Sequence, residues 1–79
     1  MQAVIATSAI EAASQAAPDE MVKFTVALSV PFFTDEELEF LRHEIGMTEY
    51  LRTYRMASVG IPAKHLLTLA ETAVVIRVS

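Results

Sequence analysis

From Val22 to Val30 the chain alternates. Val22, Phe24, Val26, Leu28 and Val30 point one way, and Lys23, Thr25, Ala27 and Ser29 point the other. A period of two carried by β-branched and aromatic residues predicts a strand with one buried face. Such a strand cannot stand alone, because its backbone donors and acceptors need a neighbour. The candidates are the C-terminal run, an N-terminal segment or another copy of the chain.

Pro31 closes the strand, and the pattern then changes period. Thr34 fits an N-cap with Glu37 at the third helical position, the arrangement of a capping box. Phe33 and Leu38 flank it as a hydrophobic staple. Asp35, Glu36 and Glu37 suit the positive end of a helix dipole, and Gly46 stands where a left-handed C-cap is wanted. These signals predict a helix over 35–45 with Leu38, Leu41 and Ile45 as its apolar stripe. Phe40 falls on the opposite side, among Glu36, Glu37, His43 and Glu44.

Beyond Gly46 the same reasoning gives two more helices. Thr48 can cap one over 49–58, with Tyr50, Leu51, Tyr54 and Ala57 on one face and Arg52 and Arg55 on another. Pro62 suits the first position of a third, where Leu66, Leu69, Ala70 and Ala73 align. The last run, Ala73-Val74-Val75-Ile76-Arg77-Val78, reads as a second strand because consecutive β-branched residues lower helix propensity; the alternative is that the third helix continues into it. Before the central strand, residues 2–17 are rich in alanine, the best helix former. They read as a helix, with a frayed tail as the alternative, and Pro18 ends it.

Residues 1–20 thus form an N-terminal segment and linker, and 21–79 an α+β domain. The predicted order is (α)-β-α-α-α-β, with helices packed on one face of a short sheet that a partner chain could complete.

Composition adds a motive for a partner. The chain has 79 residues, of which 53% are hydrophobic and 20% charged, and no cysteine; mean hydropathy is +0.40. A chain this short buries only roughly 60–65% of the surface its unfolded form exposes. It has neither disulfides nor thiolate metal sites to help it. That much apolar area exceeds what a small globule easily hides, which points to an apolar contact surface. The aromatic residues Phe32, Phe33, Phe40, Tyr50 and Tyr54 are the candidate partner-binding residues, because aromatics dominate interface hot spots. A net charge of −4 lowers the expectation of nucleic-acid or anionic-membrane binding. No apolar run approaches the ~20 residues of a membrane span. The expected location is the cytoplasm or the interior of a virion or other macromolecular assembly.

Chemistry is sparsely signalled. His43 and Glu39 share a helix face, but a metal site needs at least three protein ligands. The acids at 35–39 are explained by a helix N-terminus. There is no glycine-rich phosphate loop, since Gly46 and Gly60 are the only glycines. No catalytic residue, metal or cofactor is expected, and the chain reads as a non-enzymatic subunit or adaptor, prone to associate with itself.

One resemblance gives a different reading. Val22-Lys23-Phe24-Thr25-Val26-Ala27-Leu28, then Thr34-Asp35-Glu36-Glu37-Leu38-Glu39-Phe40-Leu41, then Gly46-Met47-Thr48-Glu49-Tyr50-Leu51-Arg52 resemble the ribbon-helix-helix DNA-binding family over residues 21–59. The resemblance implies a dimer whose paired strands enter the major groove. Lys23, Thr25 and Ala27 would face the bases, Thr48 would contact a phosphate from a helix N-terminus, and Arg52 would join the DNA-binding set.

Overall fold

The computed structural model describes residues 3–79. Met1 and Gln2, the start of the expected alanine-rich segment, lie outside the described residues. The elements in chain order are β1 (Val4–Ile5), α1 (Thr7–Gln15), β2 (Met21–Leu28), α2 (Asp35–His43), β3 (Glu49–Thr53), β4 (Met56–Pro62), a 3₁₀ turn (Ala63–His65), α3 (Leu66–Ala70) and β5 (Val75–Val78). This is a small single α+β domain with a five-stranded mixed sheet in the order β1-β5-β2-β4-β3. The expected order of elements is corrected at two places.

The larger correction falls on 49–62. The expected second helix is a β-hairpin, with Thr53 opposite Met56 and Glu49 opposite Gly60. Two patterns compete in this stretch. Tyr50, Leu51, Tyr54 and Ala57 can share a helical face, yet Ala57, Val59 and Ile61 also alternate with Met56, Ser58 and Gly60. The second pattern wins because β2 has two sides to satisfy. Seven residue pairs, from Met21–Pro62 to Ala27–Met56, zip β4 onto β2. The loop Tyr54-Arg55 contains none of the glycine, asparagine or aspartate that marks a two-residue hairpin. Arg55 instead takes the left-handed conformation itself, at φ 58°. Its backbone N–H donates to Pro31 O (3.2 Å), and Leu28 N–H donates to Arg55 O (2.9 Å). Its guanidinium Nη1 donates to Ser29 O (3.0 Å).

The smaller correction lies at the N-terminus. The alanine-rich helix starts at Thr7, because Val4 and Ile5 are drawn into the sheet parallel to β5. Ala6 N–H donates to Val78 O (2.8 Å). The helix ends at Gln15, before Pro18. The C-terminal run is a strand, as the β-branched residues predict, and it lies antiparallel to β2 with a register shift at Ala27/Leu28.

Thus β2 finds both its neighbours within the chain. Taken with the hairpin at 49–62, this removes the strand-helix-helix layout that the ribbon-helix-helix resemblance implies. A strand enclosed by β4 and β5 has no free edge to offer a second copy. The segment β2-α2-β3-β4-α3-β5, with strands ordered β5-β2-β4-β3, has the split β-α-β topology instead.

Alternation in β2 sets the core. Phe24, Val26 and Leu28 are buried, and Phe24 and Val26 sit opposite Val59 and Ala57 of β4. They gather with Val75 and Val78 of β5, Ala9 of α1, Leu41 of α2, and Leu66, Leu69 and Ala70 of α3. Ile45, Met47 and Phe33 close the core from the loops, and Leu38 packs against it. At α2 the predicted capping box is present: Glu37 N–H donates to Thr34 Oγ1 (3.1 Å), and Thr34 N–H donates to Glu37 Oε1 (2.8 Å). Gly46 adopts φ 77° and lets Met47 N–H reach back to Leu41 O (2.9 Å). No helix among the described residues is long and apolar enough to cross a membrane.

Candidate interaction surface

The hairpin brings together residues that a helical reading had scattered. Its tip is pinned to the loop after β2 by the Arg55 contacts, so Phe32 stands beside β3. The Arg52 guanidinium lies 5.3 Å from the centre of the Phe32 ring, and that of Arg55 5.4 Å from the Tyr54 ring. Exposed cation–π pairs of this kind contribute about 0.5–1 kcal/mol each, enough to orient long arginine side chains without burying them. Around them, Phe32 is 54% exposed, Leu51 72%, Tyr54 67% and Met56 44%. The register divides them: Arg52, and Phe32 stacked on it, lie on the core side of the sheet, Leu51 and Met56 lie on the opposite face with Thr25 and Ala27, and Tyr54 and Arg55 form the turn between.

The five aromatic candidates divide. Phe32 and Tyr54 belong to this corner. Phe40 is exposed on α2, at the mouth of an open hollow of about 560 Å³ shared with Thr34, Glu36, Glu37 and Glu71. Phe33 is a core residue, 3% exposed, because its position before the cap turns it under α2. Tyr50 is half-buried, its ring 5.9 Å from that of Phe33. Its hydroxyl is buried without a hydrogen-bond partner. Phe33 and Tyr50 thus support the corner from below and do not form its contact face. Leu51, Arg55 and Met56 are not among the candidate partner-binding residues that the sequence offers. The alternation of 56–61 is the signal that would have found them.

The residues assigned to DNA contact do not assemble as the resemblance implies. Lys23 and Thr25 do lie on the sheet face turned from the core, but Lys23 is paired across Gly60 with Glu49 at 3.2 Å. Thr48 precedes a strand, so it caps no helix; its N–H donates to Gly60 O (2.9 Å). Arg52 lies on an edge strand against Phe32. On the two central strands this face carries Met21, Lys23, Thr25 and Ala27 of β2 and Met56, Ser58, Gly60 and Pro62 of β4. Single-stranded RNA readers of this topology stack bases on sheet aromatics, and none stands there.

Charge is unevenly spread. Lys23, Arg52, Arg55 and Arg77 lie on the strands and the hairpin loop with Glu49 as the only acid, whereas 34–45 holds Asp35, Glu36, Glu37, Glu39 and Glu44 against Arg42. His43 and Glu39 do meet, at 3.0 Å and well exposed. His65 sits apart on the 3₁₀ turn. Among the described residues no three His, Asp or Glu side chains lie close enough to hold a metal ion. Elsewhere Lys64 binds Asp19 at 2.6 Å. That hydrogen bond, and then the lysine charge, hold the Asp19 carboxyl below its ordinary value.

The chain matches no protein-family model, and comparison with curated proteins and solved structures brings out no relative.

Proposed function

We propose that this chain is a non-enzymatic protein–protein interaction module, a small subunit or adaptor of a larger assembly, and that the hairpin corner is its docking surface. The observation that carries this reading is the exposure of Phe32 and Tyr54, each with an arginine guanidinium over its ring, at the hairpin tip. Aromatic and arginine side chains are the usual anchors of interfaces, and their energy is released when a partner excludes water from them. Among the described residues ten large hydrophobic side chains remain at least 43% exposed, so folding leaves much of the apolar excess on the surface. The basic lean of the strands favours a partner with an acidic or aromatic-accepting surface. DNA binding in the ribbon-helix-helix manner loses its support with the ribbon itself.

The test is affinity capture from the native source with the wild-type chain, a Phe32→Ser/Tyr54→Ser variant and a Phe40→Ser variant. Capture of a specific protein that the double variant loses and the Phe40 variant retains is the expected outcome. Capture indifferent to the corner would sink the assignment.

A further inference from the structure

We infer that β3 is a self-pairing edge: two copies of the chain join antiparallel along Glu49–Thr53, about a twofold axis, into one continuous sheet. The inference rests on the docking reading and deepens it, since it names a second copy as the occupant of the part of the corner that β3 provides.

The backbone comes first. Strand residues direct their N–H and C=O groups alternately to either side. Thr25 exchanges both of its bonds with Ser79 (2.8 Å each), so its backbone groups face β5. Leu28 bonds the other way, its N–H donating to Arg55 O at 2.9 Å. It follows that Ala57 and Val59 face β2, while Met56, Ser58 and Gly60 face β3. Their partners Thr53, Leu51 and Glu49 are thereby used up. Tyr50 and Arg52 are left with N–H and C=O directed away from the sheet. β3 ends the strand order, and four of its five residues are exposed.

Register follows from symmetry. A twofold axis normal to the sheet keeps like faces together, so each residue meets one of its own parity. Only one such register uses all five residues. It sets Leu51 against Leu51 of the second copy, Tyr50 against Arg52, and Glu49 against Thr53. The Tyr50–Arg52 pairs are then the ones that exchange backbone hydrogen bonds. Leu51 falls at the close, non-bonded site, where Cα atoms approach to about 4.5 Å. Charge agrees with this register. Glu49 meets a threonine, and Arg52 meets an aromatic face of the kind it already occupies at Phe32. A shift by two residues in either direction pairs only three residues per strand, and in one of the two it also sets Arg52 against Arg52. Leu51, among the described residues the most exposed large hydrophobic at 72%, becomes the centre of the joint.

Sedimentation equilibrium of the purified chain tests this, with two variants and a control. Arg52→Pro removes an N–H that points outward, which an edge strand tolerates. Leu51→Lys places two ammonium groups on the axis, and like charges facing each other cost several kcal/mol, on the order of a hundredfold or more in affinity. The control is Leu67→Lys on α3, also exposed. Circular dichroism establishes that each variant is folded. The expected result is a dimer for wild type and control, and folded monomers for Arg52→Pro and Leu51→Lys. A wild type still monomeric at roughly 100 µM, where micromolar pairs are filled, overturns the inference. So does a dimer that both β3 variants leave intact. A monomer that nonetheless captures a protein through Phe32 and Tyr54 overturns self-pairing alone and leaves the docking reading standing.

Discussion

Replacing Gly46 with alanine isolates one backbone constraint. Gly46 sits at φ 77° just after α2, where an L side chain costs roughly 1–2 kcal/mol. A Cβ there would lie 3.3 and 3.4 Å from Cδ and Cγ of Pro62. Those atoms belong to a ring that cannot rotate away, so crowding adds to the strain. Against this, alanine narrows the unfolded ensemble, which offsets about 0.4–1 kcal/mol. The net loss is about 1 kcal/mol or somewhat more, and a domain of this size loses roughly 4–8 °C in Tm per kcal/mol. Urea unfolding followed by circular dichroism measures it. With a slope near the low end of about 1–3 kcal/mol/M, the midpoint falls by several tenths of a molar or more at unchanged slope. Gly46→Asn, which tolerates the left-handed region, should lose less. An alanine variant as stable as wild type, or an asparagine variant worse than alanine, would refute the view that the left-handed backbone is the main reason for glycine here.

Three further outcomes are expected. Thr34→Ala removes the Oγ1 acceptor of the capping box and should cost about 0.5–2 kcal/mol by urea unfolding, with the sheet unaffected. Phe24→Ala empties a fully buried site on the central strand and should cost about 3–5 kcal/mol, enough to leave a marginal chain largely unfolded by circular dichroism at 37 °C. Asp19, held below its ordinary value of 3.8 by Lys64, contributes stability that is present above the unfolded-state value and fades as pH falls through the lowered one. Asp19→Asn should therefore flatten the stability–pH curve below about pH 4 and leave its slope near neutrality unchanged.

How far the fold was legible depends on how many signals agreed at each place. In β2, period, β-branching and a closing proline all point to a strand. In α2, the Thr34–Glu37 box, the acidic first turn and Gly46 all point to one helix, and Leu41 and Ile45 become core as the stripe requires. At 49–62 the signals conflict, since Tyr50, Leu51, Tyr54 and Ala57 satisfy a helical period while Ala57, Val59 and Ile61 satisfy a strand period. The deciding fact is nonlocal: β2 needs a second neighbour, and β4 supplies it over seven pairs. A hairpin loop closed by Arg55 at positive φ leaves no compositional mark. The corner was half legible for the same reason. Phe32 and Tyr54 were singled out as aromatics, but Leu51 and Met56 come to the surface only when the period changes from helix to strand. Phe33 could not be separated from Phe32 by type, and only the turn into α2 decides which of the two is buried.

The two rims of the sheet differ in kind. On one, Val4 and Ile5 lie along β5 and Ala6 takes the Val78 carbonyl, so little of that strand is left open to a stranger. Val4 and Ile5 thus become the short outermost strand of that rim. In the self-paired arrangement inferred above, each copy spends its β3 edge in a single union, so along that rim the joint closes at two copies.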